Sequence, residues 1–600
     1  MTDQLPMAWD LSALFASISD PRIEETLCAQ KTRAEQFAAK YRGRIHADGL
    51  TPQRLAEAIG EYESIQQEVD KPLIYAGLLF AADTSNAANA AFRQKMLERH
   101  TDVSVGLLFF DLEIMAVEPE KMAPIVDDSA MSRYAHYVRA LRLAREHALP
   151  EAQERILEEK SNTAERAWMR LFDETVSSIV FKMTVNGETT ELTEPEVLNR
   201  LRDTDRAVRE AAGHSLTEGL AQNSRTLSFV MNTLLQDKAV EDRLRGYADP
   251  AESRHISNEL DGKTVDIVID TAQRNYPLVA RYYNTKKNIL GYDNLTHIDR
   301  YAPLFETKEQ VSYPQAREII LSAFGSFSPT LSAVADEFFQ NGWIDAEPRK
   351  GKRGGAFCSY ITPDLHPFVF QSYMGQLEDV STLGHELGHG AHAYLARPLG
   401  YLNMHGTLPI AELASTFGEM LVFEKLQAQA SLQDRLALYA GKIEGVFATI
   451  FRQAAMYLFE QEIHAARREK GELTADGIGE IWQRRQQEMF GDSVTLGEEH
   501  RNWWSYVSHF IHTPFYVYAY TFGELLVLAL YAQAKRDGAA FEPKYLDLLK
   551  AGGSLAPKDL MARVGIDIQD PAFWQGGMDI LSDLISRFEE LYNEWREPKS

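Results

Sequence analysis

The stretch Gly384-His385-Glu386-Leu387-Gly388-His389-Gly390-Ala391-His392 constrains this chain more than any other. His385 and His389 stand four residues apart, so on an α-helix they share a face and two imidazoles can close on one metal ion. Glu386, beside them, is placed to take a proton from a water that the ion activates. Such a helix must be packed, and its flanks agree. Residues 379–396 read as one continuous helix, Leu383, Leu387 and Ala391 supply a packing side, and Gly388 and Gly390 admit a close neighbour. A solvated helix with two surface histidines would need no packing side.

Two histidines leave a zinc ion short of protein ligands, because a catalytic site has three plus a water. His392 lies on nearly the same face. However, seven helical residues rise about 10 Å, and three imidazoles strung over that length do not converge on an ion at about 2 Å. His392 is therefore read as backing the ligands or facing substrate. Glu412, in Pro409-Ile410-Ala411-Glu412-Leu413-Ala414-Ser415-Thr416-Phe417-Gly418-Glu419, is the better third ligand. Pro409 suits a helix's first turn, and a second helix packed across the first would bring Glu412 to the ion. Glu419, seven residues on along the same face, is placed to accept a hydrogen bond from the free nitrogen of a ligand histidine. A pair of histidines with a glutamate accepts several divalent ions; Zn²⁺, one per chain, is the expected one.

A chain of 600 residues with 45% hydrophobic content exceeds one ordinary domain, so a large two-lobed globule is expected. Apolar residues recur mostly at helical spacing, as in Leu55, Ile59, Tyr62, Ile65 and again Leu97, Val103, Leu107, Phe110. Breaks are expected at residues 49–52, at Pro72 and at residues 83–86. Few β elements are expected. Phe181-Lys182-Met183-Thr184-Val185, then Asn186-Gly187, then Glu188-Thr189-Thr190 reads as a hairpin. The chain is thus mainly α, with a helical region over 1–200 that ends near this hairpin and a zinc-binding region over 201–600, the boundary being soft.

Between Gly351 and Val369 the texture changes. Residues 356–360 and 367–370 read as short strands, and Gly354, Gly355, Ala356 and Phe357 offer backbone for an extended peptide to pair with.

Other features exclude partners. The net charge of −25 is spread along the chain, which repels nucleic acid and anionic membranes and favours cationic peptides. Cys28 and Cys358 are too few for a disulfide framework or a thiolate metal site, which points to a reducing cytoplasm. Met1-Thr2-Asp3-Gln4-Leu5-Pro6 has neither the basic region nor the apolar core of a secretory signal. The uncharged run between Arg501 and Glu524 carries His509, His512 and Pro514 and reads as a buried wall of a site rather than a membrane span. Nothing in the sequence requires an oligomer.

The run from Lys350-Gly351-Lys352-Arg353-Gly354-Gly355-Ala356-Phe357 through the histidine motif and Glu412 to His509-Phe510 and Pro514-Phe515-Tyr516-Val517-Tyr518 resembles the thimet-oligopeptidase-like metallopeptidases, in the oligoendopeptidase F branch. Trp9-Asp10-Leu11 and Trp168-Met169-Arg170-Leu171-Phe172-Asp173-Glu174 extend the resemblance over nearly the whole chain. It implies a mostly helical, clam-like zinc enzyme, with a small sheet near the metal and a deep channel, that cuts internal bonds of short oligopeptides. It supports Glu412 over His392 as ligand. It also matches His509 to a histidine facing the scissile carbonyl, with Tyr516, Tyr518 and Tyr520 as the candidate tyrosines. If a helix begins near Pro514, Tyr516 and Tyr520 share a face and are the candidates for the oxyanion, while Tyr518 points away toward other substrate contacts. Two rivals remain: a dipeptidyl carboxypeptidase, which needs a cationic pocket, and a peptide-binding protein with structural zinc, which needs a closed four-ligand site.

Overall fold

Helices begin where short polar side chains can cap them. The computed structural model describes residues 5–46, 49–305 and 309–596, so Met1 to Gln4 of the N-terminal stretch lie outside it. Asp20, Thr51 and Asn86 each accept from a first-turn N–H, opening the helices Pro21–Tyr41, Pro52–Ala82 and Ala87–Ala116. Their inner faces meet through Leu27, Phe37, Leu55, Ile59, Tyr62 and Phe110, with the Phe37 and Phe110 rings 5.0 Å apart. Two expectations are corrected here. The second helix runs unbroken through Pro72, because Ile65, Val69, Tyr75 and Leu78 are buried on either side. Burying such side chains stabilises by about 1.5–3 kcal/mol each, which outweighs one lost backbone bond. Leu97 faces solvent, and Met96, Val103 and Leu107 take the inner face.

The chain forms two compact units, each assembled from three segments. The first is Met1–Arg145, Glu309–Gln429 and Gln533–Asp567; the second is Glu146–Lys308, Ala430–Ala532 and Ile568–Ser600. The division expected near residue 200 falls inside the second unit. Packing explains why the chain is not divided there. Phe181 is fully buried, and a Cβ on Gly219 would lie 2.6 Å from its ring, so the hairpin and the helix Arg206–Gln222 share one core.

Five short strands occur among the described residues: β1 Phe181–Val185, β2 Glu188–Leu192, β3 Ile344–Asp345, β4 Phe357–Ser359 and β5 Phe368–Phe370. β1 and β2 pair antiparallel about Asn186 and Gly187, whose φ values of 51° and 83° are those a two-residue hairpin turn requires. In the first unit β5 lies between β3, which is parallel to it, and β4, which is antiparallel. β4 is thereby an edge strand. The helix Leu377–Ala396 packs against β4 and β5 on one side and against Ser415–Gln429 on another.

The second unit surrounds the long helices Phe451–Lys470 and Pro571–Arg596, with Trp503 and Trp574 among its largest buried side chains. No helix among the described residues is long and apolar enough to cross a membrane.

Candidate metal centre

The helix Leu377–Ala396 starts with a capping box formed by Gln376 and Asp379, and it buries Leu383, Leu387 and Ala391 completely. One turn apart on its other side, the rings of His385 and His389 lie 5.0 Å from each other. Two glycines set how near the neighbouring chain can come. A Cβ at Gly388 would stand 2.3 Å from the Ala414 carbonyl oxygen, and one at Gly384 would stand 2.7 Å from Val422. Only hydrogen at those positions lets the segment carrying Glu412 lie against the histidine turn.

Glu412 arrives from an unexpected local structure. In place of one continuous helix from Pro409, the short helix Leu408–Ala411 ends at Glu412, and a new one starts at Ser415. Ser415 Oγ donates to Glu412 Oε2 at 2.6 Å and so fixes the carboxylate within this break. The sequence reading missed Ser415, although a hydroxyl three residues after the glutamate was its signal.

Glu412 Oε2 lies 3.4 Å from His385 Nε2 and 3.4 Å from His389 Nε2. One ligand atom from each of the three residues falls within 4.8 Å of the others. A tetrahedral ion with arms of about 2.1 Å has edges of about 3.4 Å, so the donors fit zinc in both kind and spacing. Charge fits as well. Burial opposes a charged His385, yet the carboxylates of Glu419, Glu412 and Glu386 raise its pKa to about 9. Glu412 is held down at about 2, against the pull of burial, by His389, His385 and the Ser415 hydroxyl. The carboxylates that stabilise a proton on His385 would equally stabilise a cation between the rings. Glu419 Oε2 faces His385 Nδ1 at 3.3 Å, so that nitrogen donates and the Nε2 lone pair is left for an ion.

Glu386 is 6% exposed; burial raises its pKa, and its Oε2 has no hydrogen-bond partner among the described residues. Of the two roles expected for His392, burial leaves the one behind the ligands. It is buried, both ring nitrogens are covered and unpartnered, and burial with the nearby His389 and His405 lowers its pKa to about 4. It is a neutral core imidazole rather than a substrate-facing group.

The glycine-rich segment is firmly held. Thr84 N–H donates to the Gly351 carbonyl at 2.7 Å, Arg353 N–H to that of Ala81 at 2.9 Å, and buried Lys352 donates to Asp345 Oδ1 and the Gln371 carbonyl. Gly354 and Gly355 have open space where a Cβ would be, and Gly355 has φ +83°. Ala356 leads into β4, where the Phe357 ring stacks on Phe370 at 4.8 Å. Phe357 therefore offers backbone, not its ring, at the edge.

In the second unit, His509, Tyr516 and Tyr520 form a cluster of their own. His509 Nε2 and the Tyr520 hydroxyl are 3.4 Å apart, and the Tyr516 ring lies 6.0 Å from His509 and 5.0 Å from Tyr520. Burial, then Arg452 and His512, lowers the His509 pKa. The expected helix from Pro514 starts only at Tyr518. Tyr516 meets Tyr520 through a turn, with Phe515 in the left-handed region at φ 59°. Tyr518 also departs from expectation. It is buried, and its hydroxyl accepts from Asn258 at 2.8 Å and lies 3.1 Å from His255, so it is bound into the core rather than offered to a ligand.

Comparison with known proteins identifies the family. Residues 200–580 match the model described as Peptidase family M3, and residues 113–181 match one described as Oligopeptidase F. The chain is 26% identical to Oligopeptidase PepF of Bacillus subtilis, covering 92% of this chain and 83% of that one. It is 25% identical to the chromosomal Oligoendopeptidase F of Lactococcus lactis subsp. cremoris, covering 98% and 97%. The crystal structure of oligoendopeptidase-F from Enterococcus faecium shares the fold at TM-score 0.72, with 22% identity over 96% of this chain and 99% of that one.

Proposed function

This chain belongs to peptidase family M3 and is a metalloendopeptidase acting on oligopeptides, and we propose that it cuts internal bonds of short oligopeptides with one Zn²⁺ per chain. The observation that carries the proposal is the pair of 3.4 Å spacings from Glu412 Oε2 to the two histidine Nε2 atoms. When bound by His385, His389 and Glu412 with one position open, the ion would polarise the scissile carbonyl and lower the pKa of a water. Glu386 takes the proton of the attacking water on its unpartnered Oε2 and delivers it to the leaving amine. Glu419 holds the His385 ring in the ligating tautomer.

The edge of β4, with Gly354, Gly355, Ala356 and Phe357, pairs with the peptide backbone as an added strand, a contact that reads main chain rather than side chains. His509, Tyr516 and Tyr520, assigned by the family resemblance, donate to the carbonyl oxygen as it gains charge. Cys28 and Cys358, both free, suit a reducing, cytoplasmic location.

An internally quenched peptide series of increasing length, with product masses, tests this reading. Internal cleavage that fades for long substrates supports it. Products that are only C-terminal dipeptides assign the carboxypeptidase rival, and binding without cleavage overturns the catalytic reading.

A further inference from the structure

The turn that brings Tyr516 to Tyr520 depends on a carboxyl group that the proposed reaction does not use. Phe515 adopts φ 59°, a region that a bulky L-residue occupies only when its surroundings over-determine it. A glycine would take this conformation freely, so the phenylalanine is there for its anchors. Its ring is fully buried, 4.7 Å from His464 and 6.0 Å from Tyr457. Its N–H donates to Glu460 Oε1 at 2.8 Å. The preceding Pro514 carbonyl accepts from Arg254 Nε at 3.4 Å.

Glu460 is 1% exposed, in the middle of the helix Phe451–Lys470. Its second oxygen has no hydrogen-bond partner among the described residues. Such a group is costly to bury, and among the described residues the Phe515 N–H is its one hydrogen-bond partner. Downstream, Tyr516 N–H returns to the Thr513 carbonyl and Ala519 N–H to that of Tyr516. The direction of this turn, and with it the meeting of His509, Tyr516 and Tyr520, therefore hangs on the Phe515 kink.

We infer that Glu460 is a positioning residue for the His509, Tyr516 and Tyr520 cluster, acting through the Phe515 backbone; the inference rests on the function proposed above. Burial raises the Glu460 pKa to about 8, so near neutral pH the group is largely a carboxylic acid whose carbonyl oxygen receives the amide. Glutamine reproduces that acceptor. Methionine does not, and aspartate keeps the carboxyl but falls one methylene short.

The test compares wild type with Glu460→Gln, Glu460→Met and Glu460→Asp by kcat and KM, metal content, and hydrogen exchange of residues 509–520. Glu460→Met and Glu460→Asp are expected to lose kcat at least about tenfold with KM nearly unchanged, because a small misplacement of donors is felt in the transition state. Both are expected to exchange faster in that segment, with the helix Leu377–Ala396 unaffected. Glu460→Gln is expected to restore both readouts. Should Glu460→Met not accumulate as folded protein, the pair Glu460→Asp and Glu460→Gln decides. Wild-type kcat and protection in the methionine or aspartate variant overturns the inference, as does a glutamine variant as impaired as they are. If wild type cleaves no peptide, the proposed function fails, while the exchange data still decide whether Glu460 anchors the turn.

Discussion

Replacing Gly388 by alanine should disable the metal centre without touching a ligand. In an isolated helix that change would stabilise by about 1 kcal/mol, because glycine is the weaker helix former. Here the new Cβ would lie 2.3 Å from the Ala414 carbonyl oxygen and 2.7 Å from Ser415 Cα. Both are backbone atoms, so no side-chain rotation relieves the contact. Reaching an ordinary separation requires the two segments to part by about 1 Å, and overpacking of this kind costs about 1–3 kcal/mol. Glu412 lies in the displaced segment, and metal–ligand distances tolerate only about 0.2 Å. Zinc affinity should therefore fall by about 10–100-fold, measured by competition with a chromophoric chelator. Gly441→Ala is the control, since nothing lies within 4 Å of its Cβ position. It should raise thermal stability slightly and leave zinc affinity alone. Wild-type affinity in Gly388→Ala would refute the argument that close approach at this glycine places Glu412.

Glu419→Ala removes the acceptor facing His385 Nδ1 and should weaken zinc binding by about 10–100-fold, read in the same competition assay. Tyr518→Phe should destabilise the fold by about 1 kcal/mol in denaturant titration, through the lost Asn258 bond, and leave KM and kcat at wild-type values. Raised KM would return Tyr518 to the substrate. His297, buried and lowered to about 4 by burial and Arg300, makes the fold acid-sensitive. Between pH 6.5 and 4 the unfolded chain binds a proton that the folded chain refuses, so stability falls as pH drops through that window, by up to about 3 kcal/mol from this group. His297→Asn should flatten that slope in urea midpoints measured across the window; an unchanged slope would contradict the assignment.

Much of the centre was legible because its chemistry lies in local spacing. His385, Glu386 and His389 declare themselves within one turn, and the helix 379–396 was bounded to within two residues by its apolar stripe and glycines. Asn186 and Gly187 announced the hairpin for a similar reason, since their left-handed tolerance is a property of the residues themselves. Glu412 was identified correctly as a neighbour of the histidines, but its helix was not. The break at residues 412–414 is set by contact with Gly388, a long-range fact that periodicity does not carry. The buried settings of Tyr518 and His392 were hidden for the same reason. Whether an aromatic or a histidine faces a ligand or the core depends on partners such as Asn258 and His405, which no spacing rule reaches. The building of each unit from three chain segments was also hidden, because each return of the chain is decided by core packing rather than by linker composition.

The central claim is that the triad holds one zinc and that Glu386 moves the proton. It is tested most directly by measuring zinc per chain and turnover of a quenched oligopeptide in wild type and Glu386→Gln side by side. The account predicts one tightly held zinc in both proteins, with turnover in the variant reduced by about 100- to 10,000-fold. Wild-type turnover in Glu386→Gln, or an active wild type that holds no metal at all, would contradict it.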